Sequence, residues 1–569
     1  MHIRHTTDSR ASFLRAASTS ALLLAALLLL PATQAISANS NHSLTVRADG
    51  TVWAWGNNDH GQLGDGTLKP ASLPKQVKGG TGKKWLGGIK AVSAGLCHSL
   101  AVGNDGTVWA WGWNDQGQLG NGTAKDSHVP VQVKDSSGKG RLEGIVAVSA
   151  GFSHSLALAN DGTVWAWGSN TSGQLGDKTA TDRTLPVQVK DSSGEGKLEG
   201  IVAISAGDVH SLALSNDGTV WAWGANNHGQ LGDETTDDRS KPMQVKDSSG
   251  GSQLGGIKGV SAGFYHSLAV GNDGFVWAWG RNDYGQLGDW TTEDRSKPVQ
   301  VKDSPSGSQL GGIKSVSAGV YHSLALGDDG SVWAWGNNEH GQLDDETSGD
   351  ETLDDETIDD RCKPVQVKYG SGTDSLGGIK AISSCGEHSL AVGNDGSVWA
   401  WGRNHWGQLG DGTTADRGSP VRVKGPDSLG FLDLTLYIIP HGSTGDKPHT
   451  TWFKAFHSSA ATLKKWSFGD GATSKESAPS HTFTEAGVYP VTLTVDAQGS
   501  EQSTSVEVVV QDPYSSDGGS TSPGSGGSAG GCSLGPGADY GLEWLLLAGG
   551  AMLVRMRKHA IQGPGGNRM

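Results

Sequence analysis

The sequence predicts an all-β chain, a seven-bladed β-propeller followed by a small β-sandwich. Three observations carry that expectation. The tetrapeptide WAWG begins at Trp53, Trp109, Trp165, Trp221, Trp277, Trp333 and Trp399, with five spacings of 56 residues and a last one of 66. A fixed period of this size marks stacked structural units. In each unit two alternating segments, HSLAV and VWAWG in the usual form, flank an Asp-Gly turn, which is a strong hairpin signal. After Gly425-Pro426 the period stops, and the alternation in VYPVTLTV and VEVVV indicates strands of a second, smaller unit.

Within a unit the hairpin supplies two strands. Short apolar segments around PVQV and IKAVSAG supply two more, and four strands per unit fit propeller blades. On a pleated strand Trp53 and Trp55 share one face, while Val52 and Ala54 share the other. A blade is covered on both sides, so a bulky face can meet a small one. All fourteen WAWG indoles are expected to be buried, at about 150–250 Å² each. The segment Ile36–His42 aligns with Val92–His98, whereas the seventh repeat stops after Pro420–Val423 with no IKAVSAG segment behind it. The first strand is therefore expected to lie beside Val421–Val423, closing the ring and removing an open edge.

Composition narrows the function. Acidic residues outnumber basic ones, 59 to 44, for a net charge of −15, which argues against a protein that coats nucleic acid. Four cysteines in 569 residues exclude a disulfide-dense scaffold and a multi-cysteine zinc array. No nucleophile elbow, phosphate loop or zinc motif is present, so neither cofactor, metal nor catalytic residue is expected.

GQLGDGT, together with HSLAV and VWAWGNN, resembles the repeats of the regulator of chromosome condensation family, whose members are seven-bladed propellers. The resemblance covers residues 36–424 and departs at Asn121 and Asp344. The long sixth repeat carries a tandem duplication, Leu343–Thr347 recurring as Leu353–Thr357, which is expected to form a solvated loop rather than a calcium site. After a linker at 425–432, LKKWSFGDG and PSHTFTEAGVYPVTLTV resemble the PKD domain, an immunoglobulin-like sandwich, over residues 433–511. Ser467 stands where that family more commonly has an acidic residue. The resemblance implies a spacer or adhesive module, and Asp470 is expected to fix a turn.

Both ends carry membrane signals. Arg4, Arg10 and Arg15 precede the apolar run Ala21–Leu30, and Thr33-Gln34-Ala35 completes a signal peptide over residues 1–35. A Gly/Ser linker at 512–531 leads to residues 532–558: Cys532, the apolar stretch Leu542–Val554, then Arg555, Arg557 and Lys558. Residues 559–569 form a tail. The ensemble resembles the sorting tails of exported Gram-negative proteins, implying membrane anchoring and processing near Cys532; a plain membrane anchor is the alternative. Localisation is expected at the cell envelope or surface.

The seven HSL histidines occupy one equivalent position per blade, which favours a structural hydrogen-bonding role over an active site. Variation between blades is more informative. The loop before each His and the loop after each WAWG lie at the same end of the hairpin, and there the repeats diverge most. Trp113, Phe152, Phe264, Tyr265, Arg281, Tyr284, Tyr321, Arg403 and Trp406 gather on this rim, the residue types of binding hot spots. The expected function is a non-enzymatic envelope protein whose rim binds a protein or an envelope polymer. A secreted enzyme inhibitor is the alternative, since the same propeller type serves as a bacterial β-lactamase inhibitor, and an envelope hydrolase is a third reading. The nucleotide-exchange activity of nuclear family members does not transfer to an exported chain.

Overall fold

The computed structural model describes residues 36–511, apart from 40, 81, 83, 250, 305–306, 344–361, 370–374, 427–430, 433–436, 442–443, 457–460 and 498–499. The signal segment, the duplicated part of the sixth repeat and the tail with Cys532 lie outside the described residues. Among those described, every regular element is a β-strand, and no helix is long and apolar enough to cross a membrane.

Seven four-stranded antiparallel sheets form the propeller. In the first blade β1 (Ile36–Asn39), β2 (His42–Val46), β3 (Val52–Gly56) and β4 (Ala71–Gln76) are neighbours in chain order. Six more blades repeat this order from inner strands that start at Ile89, Ile145, Ile201, Ile257, Ile313 and Ile379. The inner strands abut all the way round, β1 against Ile379–Cys385 included. Their channel-facing edges are not left bare. Ser37 Oγ accepts the Ala94 N–H at 3.0 Å, and the equivalent bond recurs at every junction, the Ala38 N–H donating to Ser383 Oγ at 3.3 Å where the ring closes.

Ring closure differs from the sequence expectation. β1 does not lie beside Val421–Val423; it pairs with β2, with Ile36 opposite Thr45 and Asn39 opposite His42. The seventh blade has its own inner strand, Ile379–Cys385, and Arg417–Arg422 is its outer one. The error is one of phase, because a periodic sequence does not mark which strand opens the unit. Closure is by packing of faces: Trp55 of the first blade sits among Leu390, Val398, Ala400, Leu409 and Val423 of the last.

The tryptophans divide into two classes rather than fourteen equals. Trp55, Trp111, Trp167, Trp223, Trp279, Trp335 and Trp401 are fully buried, whereas the first Trp of each WAWG is half-buried. Both share a face, as the pleat requires. The second reaches across the seam, Trp111 Nε1 donating to the Gln62 carbonyl at 2.8 Å, while Trp53 lies toward the turn and donates to Thr51 Oγ1. Large against small holds at each seam: Trp111 packs on Leu44, Val52 and Ala54 of the preceding blade.

A further packing layer extends the last blade. Lys424 bridges to Phe431, and Leu432 is fully buried beside Val423, so these two residues of the supposed 425–432 linker belong to the ring, as Trp85 and Leu86 do in the first repeat. The sandwich that follows has one three-stranded sheet (Tyr437–His441, His449–Phe456, Ser480–Phe483). Its second sheet has five strands, with Gly487–Ala497 and Ser500–Gln511 as the long hairpin. Phe453, Trp466, Phe468, Phe483, Leu493 and Val508 fill the space between them. Asp470 does fix a turn, accepting the Ala472 N–H at 3.0 Å. Arg47, at the turn end of the first blade, donates to Thr504 of the sandwich at 3.2 Å.

Candidate functional site

The loops that carry the variable residues are rigidly built. In each blade the residue after WAWG donates its N–H to the carbonyl of the residue before the His: Arg281 to Tyr265 at 2.9 Å, Trp113 to Cys97 at 2.8 Å, Arg403 to Glu387 at 2.9 Å. Gly280 permits this approach, with φ +102° and a carbonyl, that of Tyr265, 2.4 Å from where a Cβ would stand. The following Asn is the loop's internal brace. Asn282 Oδ1 accepts the Leu287 N–H, and its Nδ2 donates to Asp289 and the Thr291 carbonyl. The repeated residues thus hold the loop, and the variable ones are displayed on it.

Seven of the nine rim residues form one arc. Trp113 of the second blade contacts Phe152 of the third (ring centroids 6.5 Å apart), which meets Phe264 of the fifth edge-on at 6.3 Å. Phe264 then touches Tyr265 at 4.5 Å and Tyr321 of the sixth blade at 5.9 Å, and Tyr321 packs on Tyr284 at 4.8 Å. Arg281 lies 5.3 Å over Tyr321 and 6.0 Å over Tyr265, held by a 2.6 Å ion pair with Asp283. Arg403 is paired with Glu387, and Trp406 contacts His405, so these two stand apart from the arc. The arc therefore draws on four blades, the second, third, fifth and sixth.

Sequence reasoning passed over Asp208. It lies in the fourth blade, between the blades of Phe152 and Phe264, and lines the same channel mouth of about 150 Å³ as those two rings. It is 8% exposed, and its Oδ1 has no hydrogen-bond partner. Burial pushes its carboxyl up to about 7, against the opposing effect of the Tyr265 hydroxyl. The rim also carries three His–Asp pairs that clamp adjacent blades: His60–Asp126, His228–Asp294 and His340–Asp416. His60 and His228 extend the aromatic surface to Trp113 and Tyr265.

The seven HSL histidines are structural, as their repetition implies. Each Nε2 meets the HSL serine of the next blade at 2.9–3.0 Å, from His42–Ser99 round to His388–Ser43. Six of those serines donate their hydroxyl proton to a Gln carbonyl, for example Ser155 to Gln118, so their partner imidazoles carry the proton on Nε2. Burial pushes these histidines down to about 3, and His154 to about 4, which keeps them neutral. Among the described residues no group of His, Cys, Asp or Glu has the arrangement to hold a metal ion.

Comparison with known proteins places this architecture. The model of the RCC1-like domain matches residues 15–355 and 142–473, and that of the PKD domain matches 446–510. The ultraviolet-B receptor UVR8 of Arabidopsis thaliana is 33% identical over 393 residues, 68% of this chain and 81% of that protein. The human E3 ubiquitin-protein ligase HERC2 is 32% identical over 303 residues, 53% of this chain but only 6% of that much longer protein. Among solved structures, Prp20p of Saccharomyces cerevisiae, described with its binding to Gsp1p and histones, is 24% identical with a TM-score of 0.54 over 68% of this chain and 89% of its own, a likeness of fold. The chain belongs to the RCC1-like domain family and carries a PKD domain after its propeller.

Proposed function

We propose that this chain is a non-enzymatic binding protein of the cell envelope, exported through residues 1–35 and held by its C-terminal segment, with the PKD domain as spacer. Its partner is a protein or an envelope polymer, bound at the rim. The observation that carries the reading is the arc from Trp113 through Phe152, Phe264 and Tyr321 to Tyr284, with Arg281 laid over it. Aromatics bring large contact area with few rotors, and Arg adds directed donors, the composition of hot spots. Relatives support a binding role: one is named a receptor, and a fold neighbour is described by its binding of proteins.

The test is capture from envelope extract with the parent chain and with a variant in which Phe264, Tyr265, Arg281 and Tyr284 are alanine. Captured species are identified by mass spectrometry and their affinity is measured by surface plasmon resonance. The rim reading requires that the variant, folded by circular dichroism, lose capture. Equal capture by both chains defeats it. An enzyme as the captured species, silenced on binding, would turn the reading toward the inhibitor.

A further inference from the structure

The channel opens at the far end from the rim into a second cavity of about 500 Å³, within the range of small-molecule sites. Its lining is unlike the rim's. Lys90, Lys258 and Lys314, each the second residue of an inner strand, are its charged groups, and no carboxylate is among its described lining residues. The blades between them place Val146 and Val202 at the same strand position. Deeper in, the seven channel serines surround the axis. Each accepts a backbone N–H from the next blade, which leaves its hydroxyl proton as a remaining donor.

We infer that this end of the channel is a binding site for a small phosphate-bearing ligand, gripped by Lys90, Lys258 and Lys314 and by the hydroxyl ring beneath them. Three lysines and no carboxylate line that mouth among the described residues. Lys90 and Lys314 each give one N–H to a carbonyl of the next blade, Ile145 and Ile379, at 3.3 Å, which orients the ammonium groups and leaves two donors on each. Burial lowers the Lys90 pKa against the pull of Asp105, so an incoming oxyanion would restore what desolvation removes. The two acids that act on these lysines each hold their own hairpin turn. Asp105 is bonded to Thr107, and Asp329, which feels Lys314, is bonded to Ser331. A low-dielectric funnel lined by one sign of charge concentrates ligands of the other.

The inference does not depend on the rim. It is tested by isothermal titration calorimetry of the full chain with sodium tripolyphosphate, inorganic phosphate and citrate. Expected are saturable binding of tripolyphosphate with a dissociation constant below about 1 mM, weaker binding of inorganic phosphate, and weakening with salt. The triple variant K90Q/K258Q/K314Q should lose at least about tenfold in affinity, while the matching Arg variant retains it. Lys258 is exposed, so K258Q alone keeps the fold and should cost about threefold or more. No binding by the parent chain, undiminished binding by the Gln variants, or citrate binding as tightly as tripolyphosphate overturns the assignment.

Discussion

His388 of the last blade donates its Nε2 proton to Ser43 of the first at 3.0 Å, and Ser43 passes its own to the Gln408 carbonyl at 2.9 Å. The same relay links His154, Ser211 and Gln174 inside the ring. Closure thus uses the chemistry of every other junction, with no strand exchanged.

Ser43→Ala leaves a buried imidazole N–H without an acceptor. The expected loss is about 1–3 kcal/mol. Ser211→Ala, at an internal junction, should cost the same. Urea denaturation of both variants checks this; a much smaller loss at Ser43 would mean that the closing seam contributes little.

Deleting Ile36–Asn39 removes the inner strand of blade one and the buried Ile36 and Ala38 from the closing core. The melting temperature should fall, and the bared edge of β2 should promote association. Calorimetry and light scattering read the two effects.

Acid should unfold the ring early. The histidines titrate near 3 to 4 when folded and near 6.5 when unfolded, so the unfolded chain binds more protons at any pH between. Their neutral-pH stability is complete above about 6.5 and declines as pH falls toward 3, by up to ~1.4 kcal/mol per pH unit for each histidine. Calorimetry from pH 7.5 downward should show the melting temperature dropping well before carboxylates titrate.

Asp208 works in the opposite direction. A carboxyl raised to about 7 destabilises the fold progressively as pH climbs from its unfolded value toward 7. Asp208→Asn should therefore stabilise at pH 8, by on the order of 2–4 kcal/mol, and change little at pH 4. Thermal melts at the two pH values decide it.

Rim variants should separate by connectivity. Phe264→Ala sits at the centre of the arc and should weaken partner binding by about 2 kcal/mol, whereas Arg403→Ala and Trp406→Ala should do far less. Plasmon resonance with the captured partner measures each.

Much of this was legible in the sequence. WAWG, HSL and the Asp-Gly turns fixed blade number, the hairpin, the shared face of Trp53 and Trp55 and the end at which the rim forms. The phase of the blade was not legible, because the repeat reads the same from any starting strand and only three-dimensional pairing shows that Ile36 opens a unit. Nor was the unequal burial of Trp53 and Trp55, since the pleat gives the face and not the depth. Asp208 was missed for a related reason: the rings with which it shares the channel mouth, Phe152 and Phe264, come from blades far apart in sequence.

The relay of His, Ser and Gln has one more consequence. Because all seven His–Ser bonds point the same way round and the closing one matches the rest, this relay carries no imprint of where its polypeptide starts. A chain with Leu432 joined to Ile36 and a new opening at any other seam should assemble the same wheel. The chain ends interrupt none of these bonds, so mechanical load meets seven seams of one design rather than a single place where the thread was tied.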